Sequence, residues 1–264
     1  MINYSFEFYG LIFFAIILLR YFISAGATHL LLYGAFSHCL TDDRTDSSLK
    51  NRILPWRFFL RQAPPTIKKD IKLSVLSCII FALGAAIVMS AHDSGRTQLY
   101  TDIHLYPVWY LGISYIAAII LQDTYFYFLH RLFHQSTIFR WCHLGHHQSK
   151  HPTPWTSFAF DPLEAIAQSL FLVGIVFAIP LHFITVIAVL STMTVWGIVN
   201  HLGVDRLPSN FPHHWFGYWF TGPAHHTIHH RQYALHFGLY FTFWDRLLGT
   251  QALNYEKEIA NVAH

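Results

Sequence analysis

Residues 105–147 read LYPVWYLGISYIAAIILQDTYFYFLHRLFHQSTIFRWCHLGHH and decide the fold. The stretch from Leu105 to Leu129 is almost entirely apolar, and a helix needs about 20 such residues to cross the hydrocarbon core of a bilayer. Five histidines then follow within 18 residues, beginning at His130 and ending at His147. The stretch therefore predicts a transmembrane helix that leads directly into a histidine-rich segment.

The rest of the chain has the same apolar character. Charged residues make up 12% of the 264 residues, about half the fraction usual in soluble domains. The predicted spans are Phe8 to about Leu32, Leu73–Ala91, Leu105–Leu129, Glu164–Ile179 and Leu181–His201. Only Pro180 separates the last two, which predicts a tight hairpin that need not cross fully. We expect an all-α integral membrane bundle of about four or five transmembrane or hairpin helices, forming a single domain over residues 1–264 with residues 1–122 mainly as N-terminal membrane helices.

The basic residues orient these spans. The segment 41–72 holds eight of the 17 basic residues, whereas the segment 92–104 holds only Arg96. By the positive-inside rule, 41–72 should be cytoplasmic, and every histidine cluster then falls on that same side. Arg20, inside the first span, should snorkel to the interface if it lies near a helix end. A soluble helical protein is disfavoured because three runs approach spanning length, and the basic residues form no patch suited to nucleic acid.

Nine histidines form four clusters with the spacing of metal ligands. Residues three or four apart share a helix face, so each multiple cluster should present its imidazoles together. The clusters are His130 and His134; His143, His146 and His147; His201; and His226, His229 and His230. One metal takes about four to six ligands, so nine nitrogens favour two ions with coordination positions left open for catalysis. The three cysteines are far apart and predict neither a disulfide framework nor a cysteine-based metal site.

Several carboxylates and further histidines lie near these clusters in the sequence. We expect carboxylates to orient the ligands, and the candidates are Asp123, Asp161, Glu164 and Asp245. Asp205, four residues after His201, is open between a tenth ligand, an acceptor for that histidine and a surface group. His151, His213 and His214 are expected near the site without being ligands, and His225 has no assigned role. Six aromatic residues are candidates to line a substrate pocket: Phe126, Phe128, Trp155, Phe158, Phe160 and Trp244.

The order of these motifs resembles the fatty acid hydroxylase/sterol desaturase superfamily. The resemblance runs over residues 123–251 and includes the segment 152–164, the pair Phe237-Gly238 and the closing stretch 243–250. It is strongest to sterol C5-desaturase-like members and their bacterial relatives. Two positions depart from the pattern: Asp161 stands where many members have histidine, and His236 stands where the closing signature usually has asparagine.

The resemblance implies a cytoplasmic cap in which the nine histidines bind two iron ions. It implies O2-dependent desaturation or hydroxylation of a lipid, with a sterol-like ring or a fatty acyl or sphingoid chain both open as substrates. The chain has no flavin, dinucleotide or iron–sulfur motif, so electrons should come from a separate cytochrome or ferredoxin with its reductase. A metal transporter is the alternative from another class, but transporters usually place ligands within the spans near the midplane. A non-catalytic relative is disfavoured because every histidine cluster is retained.

Overall fold

The computed structural model describes residues 4–32, 65–202 and 218–252. We number the helices α1 to α9 and the strands β1 and β2 in chain order. The α-helices are α1 (Phe6–Leu30), α2 (Pro65–Asp93), α3 (Trp109–Phe133), α4 (Ser136–Cys142), α5 (Leu144–His147), α6 (Pro162–Ala178), α7 (Phe183–Asn200), α8 (Pro223–Gln232) and α9 (Phe243–Leu247). The strands are β1 (Leu99–Tyr100) and β2 (Leu181–His182), and a 3₁₀-helix covers Pro154–Phe158. The predicted all-α membrane bundle is confirmed.

Four of the described helices, α1, α2, α3 and α7, are long and apolar enough to cross a membrane, and α6 is shorter. Their outward faces carry large apolar side chains such as Leu11, Ile23 and Ile187, each at least 60% exposed. Exposing such large apolar side chains to water is unfavourable, so these faces fit contact with lipid. The structure thus has the five helices predicted from hydropathy, with α6 as the short arm.

Helices α1 and α2 pack side by side along their length. Small buried residues, Ala25 on α1 and Ala82 on α2, let the helices approach, as is common between membrane helices. Tyr9 donates a 2.6 Å hydrogen bond to Asp93 at one end of the pair. Tyr21 donates a 3.0 Å bond to the carbonyl of Trp155, which ties α1 to the 3₁₀-helix of the histidine-rich half.

The two arms of the predicted hairpin pack on different partners. Helix α6 packs mainly against α2, and α7 packs mainly against α3. Leu181 and His182, predicted as the start of the last span, instead pair in parallel with Leu99 and Tyr100. The turn at Pro180 is therefore short, as expected, but the two arms lie against different helices, and both line a cavity within the bundle.

The observed start of a helix differs most from the predicted start where the helix begins with charged residues. The second span was predicted from Leu73, but α2 begins at Pro65 and includes Lys68, Lys69 and Asp70. Asp70 is buried and accepts hydrogen bonds of 2.6 and 2.7 Å from Ser149 and Thr156, so its charge does not mark a loop. A hydropathy profile cannot predict that an acidic residue is buried when its hydrogen-bond partners lie 79 or more residues away in the sequence.

Candidate metal centre

The nine predicted ligands lie together in two groups, on or directly beside helices α3, α5, α7 and α8. Within each group, one potential ligand atom from every residue lies within 4.8 Å of the others. Group one contains His130, His134, His143, His147 and His229. Group two contains His146, His201, His226 and His230. The groups therefore hold five and four imidazoles, a division suited to two ions.

Backbone carbonyls hold several of these rings in one orientation. The Nδ1 atoms of His130 and His229 lie 3.0 and 2.7 Å from the carbonyls of Phe237 and Leu235. In group two, the Nδ1 atom of His146 lies 3.1 Å from the carbonyl of Ala159. Since a carbonyl oxygen only accepts, each Nδ1 must carry the proton, and each Nε2 must present a lone pair.

His143 is oriented by a carboxylate instead. Its Nδ1 donates a 2.8 Å bond to Oε2 of Glu164, and both side chains are almost completely buried. The Nε2 atom of His143 then faces the Nε2 atom of His130 at 2.9 Å. Two lone pairs at this distance repel each other unless a cation lies between them, because neither nitrogen carries a proton to donate.

The spacing of the Nε2 atoms fits shared metal ligands. Nitrogens about 2.1 Å from one metal and 90° apart lie about 3.0 Å from each other. The Nε2 atom of His147 lies 3.2 and 3.1 Å from those of His134 and His229, and the Nε2 atom of His226 lies 3.0 Å from those of both His201 and His230. The donor set therefore fits two metal ions bound through Nε2.

Neighbouring histidines divide between the two groups. His146 belongs to group two and His147 to group one, while His229 belongs to group one and His230 to group two. The three rings of each His-x-x-His-His motif do lie together, as expected, with centroids 4.6–5.8 Å apart in the first motif and 4.6–6.1 Å apart in the second. The spacing did not predict that each motif contributes rings to both groups. In the first motif, α5 has only four residues, and His143 precedes it with a non-helical φ of −149°.

The other predicted carboxylates support the centre through backbone groups. Asp123 accepts a 2.7 Å hydrogen bond from the amide of Tyr240, and Asp161 accepts a 2.6 Å bond from the amide of Gly145. Asp245 accepts bonds of 2.8 and 2.9 Å from the amides of Phe237 and Gly238. Of the four candidates, Glu164 alone forms a hydrogen bond with an imidazole, and the other three bind backbone amides close to the ligands. Asp205 lies outside the described residues.

The remaining histidines near the site have structural contacts. His225 and His236 are buried, with ring centroids 5.0 Å apart, and the amide of Ala252 donates to Nε2 of His236 at 3.3 Å. His236 has a φ of 58°, a left-handed conformation in which asparagine and histidine are enriched, so histidine suits a position where asparagine is usual. His151 contacts Arg231 at the surface. His213 and His214 lie outside the described residues.

Burial keeps the imidazoles neutral. It lowers the pKa of His146 to about 4 and that of His201 to about 3, from an ordinary value near 6.5. It also lowers the pKa of His134 to about 2, with His130 and His146 adding to the effect. Neutral imidazole is the form that binds metal, so the fold prepares these side chains as ligands at physiological pH.

A cavity of about 550 Å³ reaches both histidine groups from within the bundle. Its wall includes His130 and His143 of group one and His146, His201 and His226 of group two, and it is otherwise almost entirely apolar. This volume is usual for a small-molecule site, which occupies about 300–1,000 Å³. The predicted lining is confirmed for Phe126, Phe158 and Phe160 but wrong for Phe128, Trp155 and Trp244. Phe128 packs on Trp244 instead, with ring centroids 5.0 Å apart.

Comparison with known proteins agrees with this geometry. The fatty acid hydroxylase family model matches residues 115–250. Human lathosterol oxidase is 30% identical over 83% of this chain and 67% of its own length, and the Rattus norvegicus lathosterol oxidase is 32% identical over 70% and 60%. The Delta(7)-sterol 5(6)-desaturase ERG3B of Gibberella zeae is 31% identical over 70% of this chain and 55% of its own length.

The chain spans about half to two thirds of the length of these curated relatives. No solved structure matches it significantly. The family match covers more than half of the chain and includes all nine histidines of the two groups. The chain therefore belongs to the fatty acid hydroxylase/sterol desaturase superfamily, in agreement with the resemblance seen in its sequence motifs.

Proposed function

We propose that this protein is a di-iron oxidoreductase that uses O2 to desaturate or hydroxylate a C–H bond of a membrane lipid. The observation that carries the proposal is the largely apolar cavity lined by α6 and α7 together with α1, α2 and α3, whose wall includes histidines of both groups. A lipid in this cavity would place its hydrocarbon beside the metal ligands. The names of the relatives, lathosterol oxidase and sterol desaturase, support the same class of substrate and reaction.

The proposed ligands are the nine histidines of groups one and two. Two iron ions bound there would supply the activation of O2 needed to break an unactivated C–H bond, which no amino-acid side chain can do. Iron is preferred because the superfamily is iron-dependent, whereas imidazole ligands alone also suit zinc and copper. The open positions left by five and four nitrogens would admit O2.

The protein's own residues orient the ligands and exclude water. Glu164 and the carbonyls of Phe237, Ala159 and Leu235 hold protons on Nδ1, so that the Nε2 lone pairs point inward. The ring of Phe160 stacks on that of His146, with centroids 5.7 Å apart, and lines the cavity. A dry, apolar wall protects a reactive centre from side reactions with water.

Substrate would enter from the bilayer between α1 and α7. Ile16 on α1 and Ile187 on α7 both line the cavity, yet they are 54% and 61% exposed on the lipid-facing surface. Side chains that face both the cavity and the lipid mark the edge of a lateral opening. A lipid would thus reach the centre without leaving the membrane.

Electrons would come from a separate carrier, a cytochrome or ferredoxin with its reductase. We place the histidine cap on the cytoplasmic side, because the segment 41–72 is strongly basic. Arg131, Arg140 and Lys150 are exposed around the cap, beside Trp141, which is 74% exposed. A basic surface with an exposed aromatic side chain suits an acidic partner protein.

Two measurements test the proposal together. Lipid profiles with and without the gene should differ in one desaturated or hydroxylated species, and the type of species separates a sterol desaturase from an acyl or sphingoid hydroxylase. The purified protein should hold about two irons per chain and consume O2 only with reductant. Metal flux into vesicles without O2 consumption would replace the oxygenase with a transporter.

A further inference from the structure

Arg20 lies near the middle of α1, fourteen residues after Phe6 and ten before Leu30. At 1.5 Å per residue, it is about 15 Å from the nearer end of the helix. The expectation that Arg20 snorkels to the interface therefore does not fit the helix limits, since the side chain is too short to span that distance. Another environment must accommodate its charge.

The structure places Arg20 in the wall of the apolar cavity. Its guanidinium carbon lies 5.7 Å from the centroid of the Phe158 ring. Its Nε atom is buried without a hydrogen-bond partner, and the guanidinium makes no ion pair with any residue of the ranges 4–32, 65–202 and 218–252. The cavity's carboxylate, Glu164, is bonded to His143 instead.

A cation at this depth that has no counter-ion among the described residues is energetically costly and points to a function. Arginine stays protonated under all physiological conditions, so the cost cannot be removed by loss of a proton. Guanidinium offers five N–H donors and no acceptor, and its planar fork matches an oxyanion. The ligand that would satisfy Arg20 is therefore an acceptor-rich, negatively charged group at the end of an apolar molecule.

We propose that Arg20 anchors an oxyanion at the polar end of the lipid substrate, so that the cavity selects an anionic lipid over a neutral sterol. A series of aromatic contacts leads from the guanidinium to the metal centre. Phe158 contacts Phe81 at 6.2 Å between centroids, Phe81 contacts Phe160 at 6.2 Å, and Phe160 contacts His146 at 5.7 Å. The hydrocarbon of a bound lipid would follow this aromatic wall from Arg20 to the histidines.

That the bound lipid is a substrate rests on the proposed function, but the role of Arg20 as its anchor is tested by binding measurements alone. The iron-loaded full-length protein in detergent is incubated with labelled palmitate, hexadecyl phosphate, methyl palmitate or cholesterol, and the dissociation constant of each is measured. Palmitate and hexadecyl phosphate both carry a long alkyl chain with an anionic head group, which is a carboxylate in one and a phosphate in the other. Comparing their dissociation constants therefore shows which of the two anions the site prefers. Methyl palmitate keeps the chain and removes the charge.

The native protein should bind palmitate or hexadecyl phosphate at least about tenfold more tightly than methyl palmitate and cholesterol, because a charge-assisted pair is lost. Arg20→Gln should remove this preference and leave methyl palmitate binding within about twofold, since the apolar wall is unchanged. Arg20→Lys keeps the charge and should keep part of the preference. Arg96→Gln, an exposed arginine on the loop before β1, is the matched control and should bind as the native protein does.

Equal binding of palmitate and methyl palmitate, or tighter binding of cholesterol, by the native protein overturns the proposal without any variant. An Arg20→Gln protein that retains iron and the full preference overturns it as well. If the Arg20→Gln protein misfolds and loses iron, the proposal is decided by the preference of the native and Arg20→Lys proteins for the anionic lipids over methyl palmitate and cholesterol. Reductant-dependent O2 consumption is recorded separately, so an anionic lipid that binds without turnover would count against the oxidoreductase and not against the anchor.

Discussion

Glu164 offers the most direct test of the centre, because it contacts His143 on the side away from the other ligands. Its Oε2 atom accepts a hydrogen bond from the Nδ1–H group of His143, with 2.8 Å between the two heavy atoms, and both side chains are buried. Replacement with leucine removes the acceptor and leaves His143 free to carry its proton on Nε2, where the proton would block a ligand position. Replacement with glutamine keeps an acceptor oxygen but removes the charge.

The expected losses of metal affinity follow from the free energy of the hydrogen bond between Glu164 and His143. A bond to a charged group is worth about 1.5–3 kcal/mol and a neutral bond about 1 kcal/mol. Glu164→Leu should therefore weaken metal binding by about 10- to 150-fold, close to the roughly 10- to 100-fold loss usual when a group behind a metal-bound histidine is removed, and Glu164→Gln by about 2- to 30-fold. Glu7→Gln, an exposed acid in the first turn of α1, is the control.

The assay is an anaerobic titration of metal-free protein with ferrous ion against a competing chelator. The measured quantity is the free iron concentration at half-filling, with helix content recorded by circular dichroism. A Glu164→Leu protein that keeps native helix content and fills within twofold of the native concentration would refute the orienting role of Glu164. It would also weaken the assignment of His143 as a ligand.

Replacing His146 or His229 with alanine should lower iron content below one per chain and abolish O2 consumption; a fully active variant would remove that residue from the centre. Acid should destabilise the metal-free protein, because burial lowers the pKa of His146 to about 4. In the unfolded chain this histidine binds a proton near pH 6.5, so the free energy of unfolding is highest above pH 6.5 and falls by about 1.4 kcal/mol per pH unit as the pH is lowered toward 4. Denaturant unfolding at pH 7 and at pH 5 measures this difference, and equal free energies of unfolding at the two pH values would contradict the prediction. Asp70→Asn should cost about 1–3 kcal/mol in thermal unfolding, because two buried hydroxyls lose a charged acceptor; an unchanged melting temperature would show the bonds to be dispensable. Gly238→Ala should reduce the yield of folded protein, since a Cβ atom there would overlap the carbonyl oxygen of Phe241; normal yield would refute this.

Hydropathy and ligand spacing predicted much of the fold. The first span was predicted from Phe8 to about Leu32 and is found at Phe6–Leu30, because an uninterrupted apolar run has few alternative structures in lipid. The third was predicted four residues early, since Pro107 precedes the helix and α3 continues through His130 to Phe133. The division of the chain at residues 122 and 123 stays a prediction.

The internal arrangement of the centre was beyond sequence patterns. Spacing identified nine histidines but not their division into two groups, because that depends on where the four-residue α5 lies relative to α8. The acceptors behind the rings are mostly backbone carbonyls, such as those of Phe237 and Ala159, and a carbonyl leaves no mark in a sequence. Asp70 was counted with a basic loop, since its partners are far away along the chain.

The adjacent histidine pairs, His146 with His147 and His229 with His230, have a consequence for how the proposed di-iron centre would be loaded. Each pair gives one ring to each group, so a single turn of backbone serves both ions. Binding of the first ion would fix the histidine side chains of both pairs, so the second ion would meet ligands that have already lost part of their conformational entropy. We expect the two ions to load cooperatively, so that during maturation the protein passes from empty to full with little of the half-filled form.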